Sequence, residues 1–130
     1  MVSGTVNGQD IYASTLKPDE TWGPARLVTE LYTNYADCQP SVRRDGLELF
    51  FMSNRPGSIG AFDLWVSTRA STTQPWSTPV NLGPIVNCSG CNQGHPAISA
   101  DGTRLYFYSN RPGGWGGVDL WVTTRAKLKD

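Results

Sequence analysis

The sequence predicts an all-β protein built from repeated units of four antiparallel strands, and three observations support this prediction. The chain of 130 residues contains 14 Gly, 9 Pro, 5 Trp, 5 Tyr and 4 Phe, a composition rich in turn and strand formers. The sequence repeats itself at intervals of 53 and 56 residues. Within each repeat, short apolar runs alternate with clusters of turn residues, which is typical of consecutive strands.

The clearest repeat joins the segments 40–70 and 96–126, which are identical at 18 of 31 positions without a gap. A shorter motif begins at Asp10, Asp63 and Asp119, and a tryptophan, Trp22 or Trp76, follows the first two about a dozen residues later. A period near 50 residues indicates a repeat architecture rather than a domain with one irregular core.

One complete repeat predicts four strands, A to D, at 40–45, 47–53, 63–69 and 76–82. Asp45-Gly46 is a two-residue hairpin signal between A and B. Strand B is apolar and aromatic enough to be covered on both faces. Pro79 confines strand D to an edge. Four antiparallel strands with a proline-bearing outer strand describe a blade of a β-propeller.

The strand count predicts an incomplete ring within one chain. We expect a partial blade with strands C and D at 9–34, a full blade at 39–84 and a three-stranded blade at 95–126. These nine strands are too few to close a propeller, and open sheet edges are a liability. We therefore expect a homo-oligomer, a dimer or trimer in which the N-terminal strands of one copy complete the C-terminal blade of the next. The alternative is a fragment of a longer propeller with no independent function.

The motifs at 40–66 and 96–122 also carry a resemblance. Pro-x-Ile/Val and Asp-Gly are followed by Leu-x-Phe-x-Ser-Asn-Arg-Pro-Gly and by Gly-x-x-Asp-Leu-Trp-Val. This pattern resembles the TolB-like, WD-like propeller repeat of bacterial exported and surface proteins, over about residues 9–126. The resemblance implies the architecture and a periplasmic or extracellular location. It implies no single activity, because such propellers include interaction modules, peptidase-associated domains and polysaccharide-active enzymes.

Charge and hydropathy limit the classes of partner that we expect this chain to bind. Eleven Lys and Arg balance eleven Asp and Glu, so the net charge is zero. Nucleic-acid and anionic-membrane partners are not expected, because they select for clustered positive charge. No segment reaches the roughly 20 apolar residues of a membrane span. The N-terminus has neither a basic nor an apolar run, so we expect no signal peptide in this chain, and the compartment stays open.

The direction of the strands predicts where a ligand would bind. The B–C loops and the D–A connections leave the blades on the same side, which we call the loop face, and they are the longer and more varied connections. We expect a ligand site on the loop face, near the start of strand A. The candidate residues are Tyr35, Asp37, Gln39, Arg55, Phe62, Asn92, Gln93, His95, Arg111 and Trp115.

Several candidates also have a structural interpretation. Arg55 and Arg111 recur at the same blade position, as do Asp63 and Asp119, which favours an Arg–Asp or backbone-capping contact inside each blade. Trp115 has Ile59 as its counterpart and lies between glycines. It is either a stacking platform for a sugar or a partner side chain, or it packs within its loop.

The cysteines leave three alternatives open. Cys88 and Cys91 have the spacing of zinc knuckles and of redox dithiols, and His95 and Cys38 could complete a zinc site. They could also form a disulfide or remain free thiols. A structural zinc site normally has a second close pair of ligands, which is missing here, so we assign no metal and no cofactor.

Two functions from different classes remain. The favoured one is a non-enzymatic propeller module, for binding or scaffolding, that presents its loop face to a protein or glycan. The alternative is a polysaccharide-active or other hydrolytic enzyme with a site at the channel mouth. We assign no catalytic residues, because His95 is the single histidine and no Gly-x-Ser-x-Gly motif is present. An enzyme would require His95, Asp37 and Arg111 to converge in one accessible pocket.

Overall fold

The computed structural model describes residues 9–128 and consists of open antiparallel β-sheets, so the predicted all-β class is confirmed. The strands are β1 (Tyr12–Ala13), β2 (Arg26–Leu27), β3 (Asp37–Val42), β4 (Glu48–Ser53), β5 (Asp63–Thr68), β6 (Val80–Asn81), β7 (Gln93–Ile98), β8 (Arg104–Ser109) and β9 (Asp119–Thr124). One turn of 3-10 helix, Thr29–Leu31, follows β2. Within residues 9–128, no helix is both long and apolar enough to span a membrane.

The strands form three sheets in chain order. Sheet 1 contains β1 and β2, sheet 2 contains β3 to β6, and sheet 3 contains β7 to β9. Each strand pairs antiparallel with the next strand of its sheet. This up-and-down order is that of a propeller blade, which is complete in sheet 2 and lacks its fourth strand in sheet 3 among the described residues.

The strands differ from the predicted ones at the inner and outer edges. β3 begins at Asp37, before Pro40, because Asp37 pairs with Ser53, and a bulge follows between Cys38 and Ser41. β6 contains only Val80–Asn81 instead of 76–82. Pro79 accounts for the start of this strand at Val80, since proline has no N–H to donate to the sheet.

The hairpin between β3 and β4 is longer than the predicted two-residue turn. The Arg43 amide donates to the Glu48 carbonyl (2.8 Å), so four residues form the connection. Within it, Gly46 has a φ of 78°, a left-handed conformation that glycine adopts without strain. The Asp45 carboxylate accepts from the Arg43 guanidinium and from the Leu47 amide. These contacts lower the pKa of Asp45, since they stabilise its ionised form.

Apolar side chains join the three sheets through two clusters. The cluster between sheets 1 and 2 contains Ile11, Leu31, Leu49, Phe51 and Trp65. The cluster between sheets 2 and 3 contains Phe50, Leu64, Leu105 and Phe107. Every residue of β4 is buried, as expected for a central strand covered on both faces. Sheet 2 therefore holds the other two sheets in place.

An ion pair supplements the second junction at the hairpin end of the sheets. The buried Glu48 carboxylate accepts from Arg125 of sheet 3 at 2.5 and 3.0 Å. It also accepts from Arg43 of its own sheet at 3.1 Å. The junction thus combines apolar burial with a charge-assisted contact.

Replacing Leu64 by Ala tests the importance of the sheet junctions. Leu64 is completely buried between sheets 2 and 3, so the substitution should lower the free energy of unfolding by about 2–5 kcal/mol. The measurement is urea unfolding followed by tryptophan fluorescence. Ile85→Ala is the matched control, because Ile85 is exposed and its loss should change the unfolding free energy by less than about 0.5 kcal/mol. Equal losses in the two variants would contradict the described packing.

Candidate functional site on the loop face

Asp37, the first residue of β3, lies at the centre of a buried polar cluster. Its Oδ1 accepts from Ser53 Oγ (2.7 Å) and from Arg55 Nη2 (2.9 Å). Its Oδ2 accepts from the amide (3.0 Å) and the hydroxyl (2.7 Å) of Thr33. Both carboxylate oxygens are therefore satisfied, and the side chain has no surface exposed to a ligand.

Arg55 completes this cluster and ties it to sheet 1. Its Nη2 also donates to the Leu31 carbonyl (2.7 Å). The guanidinium lies over the rings of Phe51 (4.9 Å) and Trp65 (5.5 Å), an arrangement that favours a buried cation. The expected structural role of Arg55 is present, but its carboxylate partner is Asp37 rather than the expected Asp63.

Asp63 instead binds backbone amides in the B–C loop of its own blade. Its carboxylate accepts from the amides of Ile59 and Gly60, the latter at 3.0 Å. It also accepts from the side chains of Asn81 (2.8 Å) and Gln93 (3.3 Å). Asp63 is fully buried, so it too is occupied by the scaffold.

Sheet 3 repeats the arginine contact without the carboxylate. Gln93 aligns with Asp37, and Arg111 aligns with Arg55. Arg111 donates to Ser109 Oγ (3.0 Å) and to the Val86 carbonyl, and it lies over the rings of sheet 3. Among residues 9–128, no carboxylate lies within salt-bridge distance of Arg111. Burial lowers the pKa of Arg111.

Phe62 and Asn92 form part of a backbone junction between the two blades. The Phe62 amide donates to Asn92 Oδ1 (3.1 Å), and the Gln93 amide donates to the Phe62 carbonyl (2.9 Å). The Ala61 amide donates to the Cys91 carbonyl (3.0 Å). The connection from sheet 2 to sheet 3 therefore packs directly on the B–C loop of sheet 2, and these residues serve the scaffold.

The two neighbouring cysteines form a disulfide in this connection. Cys88 and Cys91 are bonded with a Cα–Cα distance of 5.2 Å, which selects the disulfide among the three alternatives. Cys38 is a free, half-buried thiol. Its pKa is raised mainly by burial and to a smaller extent by the negative charge of Asp37. Over residues 9–128, no group of three or more His, Cys, Asp or Glu side chains is arranged to hold a metal ion.

The disulfide loop also explains Gly60. A Cβ atom at this position would lie 2.3 Å from the Cys91 carbonyl oxygen and 2.7 Å from that of Cys88. Only glycine allows the two backbones to approach so closely.

Gln39 and His95, which are equivalent residues of β3 and β7, bind each other. Gln39 Oε1 accepts from the His95 amide (2.7 Å), and Gln39 Nε2 lies 2.9 Å from His95 Nε2. This orientation makes the ring Nε2 the acceptor. Both residues have positive φ, 56° and 48°. The His95 ring also lies 5.5 Å from that of Tyr108. His95 is exposed, but its Nε2 is engaged by an amide.

Trp115 and Tyr35 are the two exposed aromatic candidates. Trp115 is fully exposed in the loop between β8 and β9, whereas its counterpart Ile59 is half-buried. The difference follows from the neighbours, because the loop of Ile59 packs on the disulfide loop. Nothing among the described residues covers the loop of Trp115 in the same way. Tyr35 is partly exposed beside the Asp37 cluster, where its amide donates to Thr33 Oγ1 (3.1 Å).

The structure does not bring His95, Asp37 and Arg111 into one accessible pocket. Each has its own partners, which are Gln39, Ser53 with Arg55, and Ser109 respectively. An open groove of about 710 Å³ lies at the opposite end of the strands. Its lining includes Arg43, Asp45, Asp101 and Lys127. Among these, Asp101 has its pKa lowered to about 2, first by hydrogen bonds from Thr103 and then by one from Ser99.

Sequence reasoning missed several residues that hold the loop face together. Ser53 and Ser109 anchor the two arginines, and their shared place in the Ser-Asn-Arg-Pro-Gly motif could have indicated this. Asn87 is buried and bridges both backbone groups of Leu64, at 2.8 and 3.0 Å. Asn87 has no identical counterpart in the other repeats, so the repeat pattern could not identify it.

Comparison with known proteins adds little to this description. No protein-family model and no curated protein matches the chain. The chain is similar to a solved structure described as a thermostable family-43 glycoside hydrolase, with a TM-score of 0.48 and 16% sequence identity. The match covers 98% of this chain and 52% of that one, so this chain spans about half the length of the hydrolase. Similarity at this level assigns neither an activity nor site residues.

Replacing Asp37 by Asn tests the structural role of this candidate. The substitution keeps the shape but leaves Arg55 as a buried cation without its carboxylate. We expect the free energy of unfolding to fall by about 3–5 kcal/mol. Asp45→Asn breaks a solvent-exposed pair with Arg43 and should lower the free energy of unfolding far less, because water screens that pair. Urea titrations of both variants give the comparison, and a small loss for Asp37→Asn would argue against a buried structural pair.

Proposed function

We propose that this chain is a TolB-like, WD-like propeller module that binds a glycan on its loop face without cleaving it. The observation that carries the proposal is the fully exposed Trp115 in a loop with glycines on both sides. An exposed tryptophan provides a large rigid apolar surface with one polar N–H group. Such a surface suits the apolar face of a sugar ring.

The contacts of Asp37 and Asp63 support glycan binding over hydrolysis. Glycoside cleavage by the usual route needs two carboxyl groups about 5–9.5 Å apart, on either side of the bond. Asp37 and Asp63, the buried acids of sheet 2 at the loop face, each accept four hydrogen bonds from the scaffold. A general acid or base must instead reach the proton that it transfers.

Neutral polar groups support a glycan as the ligand. The exposed side chains of Asn34, Tyr35 and Asn110 lie on the loop face. The carboxamide oxygens of Asn34 and Asn110 accept from the Tyr32 hydroxyl and the Asn92 amide, so their NH₂ groups and the Tyr35 hydroxyl are available for sugar hydroxyl groups. The chain has no net charge. A charged polymer would be a poorer match for this composition than a neutral glycan, since charged ligands are recognised by clustered opposite charge.

A glycan array followed by calorimetric titration tests this function. The unmodified chain should bind at least one neutral oligosaccharide, and Trp115→Ala should weaken that binding tenfold or more because the stacking surface is lost. Trp115→Phe should recover most of the affinity, because a smaller aromatic ring remains. Ile85→Ala removes an exposed aliphatic side chain from the same face and should leave the affinity unchanged.

The same protein samples distinguish glycan binding from glycan hydrolysis. Incubation with the bound oligosaccharide should release no new reducing ends, with or without His95→Ala. Cleavage that depends on His95 would overturn the proposal in favour of a hydrolase. Absence of any glycan ligand would overturn it as well, and would favour either a protein ligand or a fragment without independent function.

A further inference from the structure

We propose that two copies of this chain associate head to tail, so that sheet 1 of one copy covers the exposed face of sheet 3 of the other. The inference concerns assembly and does not depend on the proposed glycan binding. It rests on two exposed apolar surfaces at opposite ends of the chain. Their counterparts inside the chain are buried against each other.

The first surface, the head face, lies on the outer side of sheet 3. It is formed by the exposed side chains of Tyr106, Leu120 and Val122. These residues align with Phe50, Leu64 and Val66 of sheet 2. Leu64 is 0% exposed because sheet 3 covers it, whereas Leu120, at the same strand position, is 75% exposed. The head face is therefore the kind of surface that a following sheet covers.

The second surface, the tail face, lies on the outer side of sheet 1. Its aromatic residues, Tyr12 and Trp22, align with Trp65 and Trp76 of sheet 2. Trp65 is 6% exposed because it packs against Ile11 of sheet 1, whereas Tyr12 is 58% exposed. The tail face is thus the kind of surface that covers a preceding sheet.

The two internal junctions show how such surfaces fit. In the first, Ile11 of sheet 1 contacts the cluster that contains Trp65. In the second, Leu64 of sheet 2 belongs to the cluster against which Trp121 packs. Ile11 and Leu64 align with Leu120, and Trp121 aligns with Tyr12. Placing a tail face on a head face repeats the same junction between two chains, in a heterologous contact.

The charges at this junction favour the same pairing. Inside the chain, Glu48 of sheet 2 binds Arg125 of sheet 3. At the head face, Arg104 replaces Glu48, and at the tail face Leu16 replaces Arg125. The turn after Leu16 carries the exposed residues Lys17, Asp19 and Glu20, so its charge is negative by one acid. The new contact therefore avoids a second arginine opposite Arg104 and has a negatively charged turn beside it, which electrostatic complementarity favours.

Sedimentation velocity over about 1–100 µM, the range in which a contact of modest size would associate, tests the proposal on the unmodified chain. We expect the mean sedimentation coefficient to rise with concentration. Leu120→Glu and Trp22→Glu each place a charge in the apolar contact and should weaken association tenfold or more. Ile85→Glu lies outside both surfaces and should leave it unchanged. Circular dichroism verifies that each variant is folded.

Mixing the two interface variants tests the head-to-tail geometry. Leu120→Glu keeps an intact tail face, and Trp22→Glu keeps an intact head face. Neither should associate alone, but an equimolar mixture should form a heterodimer that does not grow further. A monomeric unmodified chain at the highest concentration would overturn the proposal. Association insensitive to Leu120→Glu, or no heterodimer in the mixture, would overturn it equally.

Discussion

Burial of sheet faces by neighbouring sheets is the constraint on which the rest of this structure depends. Two of the three sheets have two or three strands among the described residues, and sheets of that size have little stability alone. Sheet 2 is covered on both faces, and its central strand β4 is accordingly buried along its whole length. The same sequence type in β8 alternates between buried and exposed residues, because the described residues cover only one of its faces.

This constraint also decides which polar residues are free to function. At the loop face, the sheets are joined by buried polar contacts rather than by apolar side chains. Asp37 with Arg55 ties sheet 2 to the segment after sheet 1, and Asp63 with Gln93 ties sheet 3 to sheet 2. Asp37, Arg55 and Asp63, which would look catalytic in an isolated sequence motif, are therefore bound within the scaffold.

The repeat made much of the fold predictable, since β4, β5, β8 and β9 coincide closely with its apolar runs. The start of the inner strand β3 was harder to predict, because the strand begins at Asp37, before the Pro40 that marks it in the sequence. The outer strand was shortened by missing N–H donors. The partner of Arg55 was not predictable, because the sequence suggested the recurring Asp63, whereas Asp37 is replaced by Gln93 in the next repeat. Contacts between repeats, such as that of Asn87, leave no periodic signal.

Gly60 and Gly116 are aligned in the repeat, but only Gly60 is required by its surroundings. At Gly60, an added methyl group would collide with two carbonyl oxygens of the disulfide loop. At Gly116, the nearest atom to such a methyl group would be an Asp119 oxygen at 3.5 Å, an ordinary contact. Position 60 is thus closed to every other amino acid by its surroundings, whereas position 116 has room for alanine. At this aligned position, mutational tolerance follows the connection to the next sheet and not the repeat unit itself.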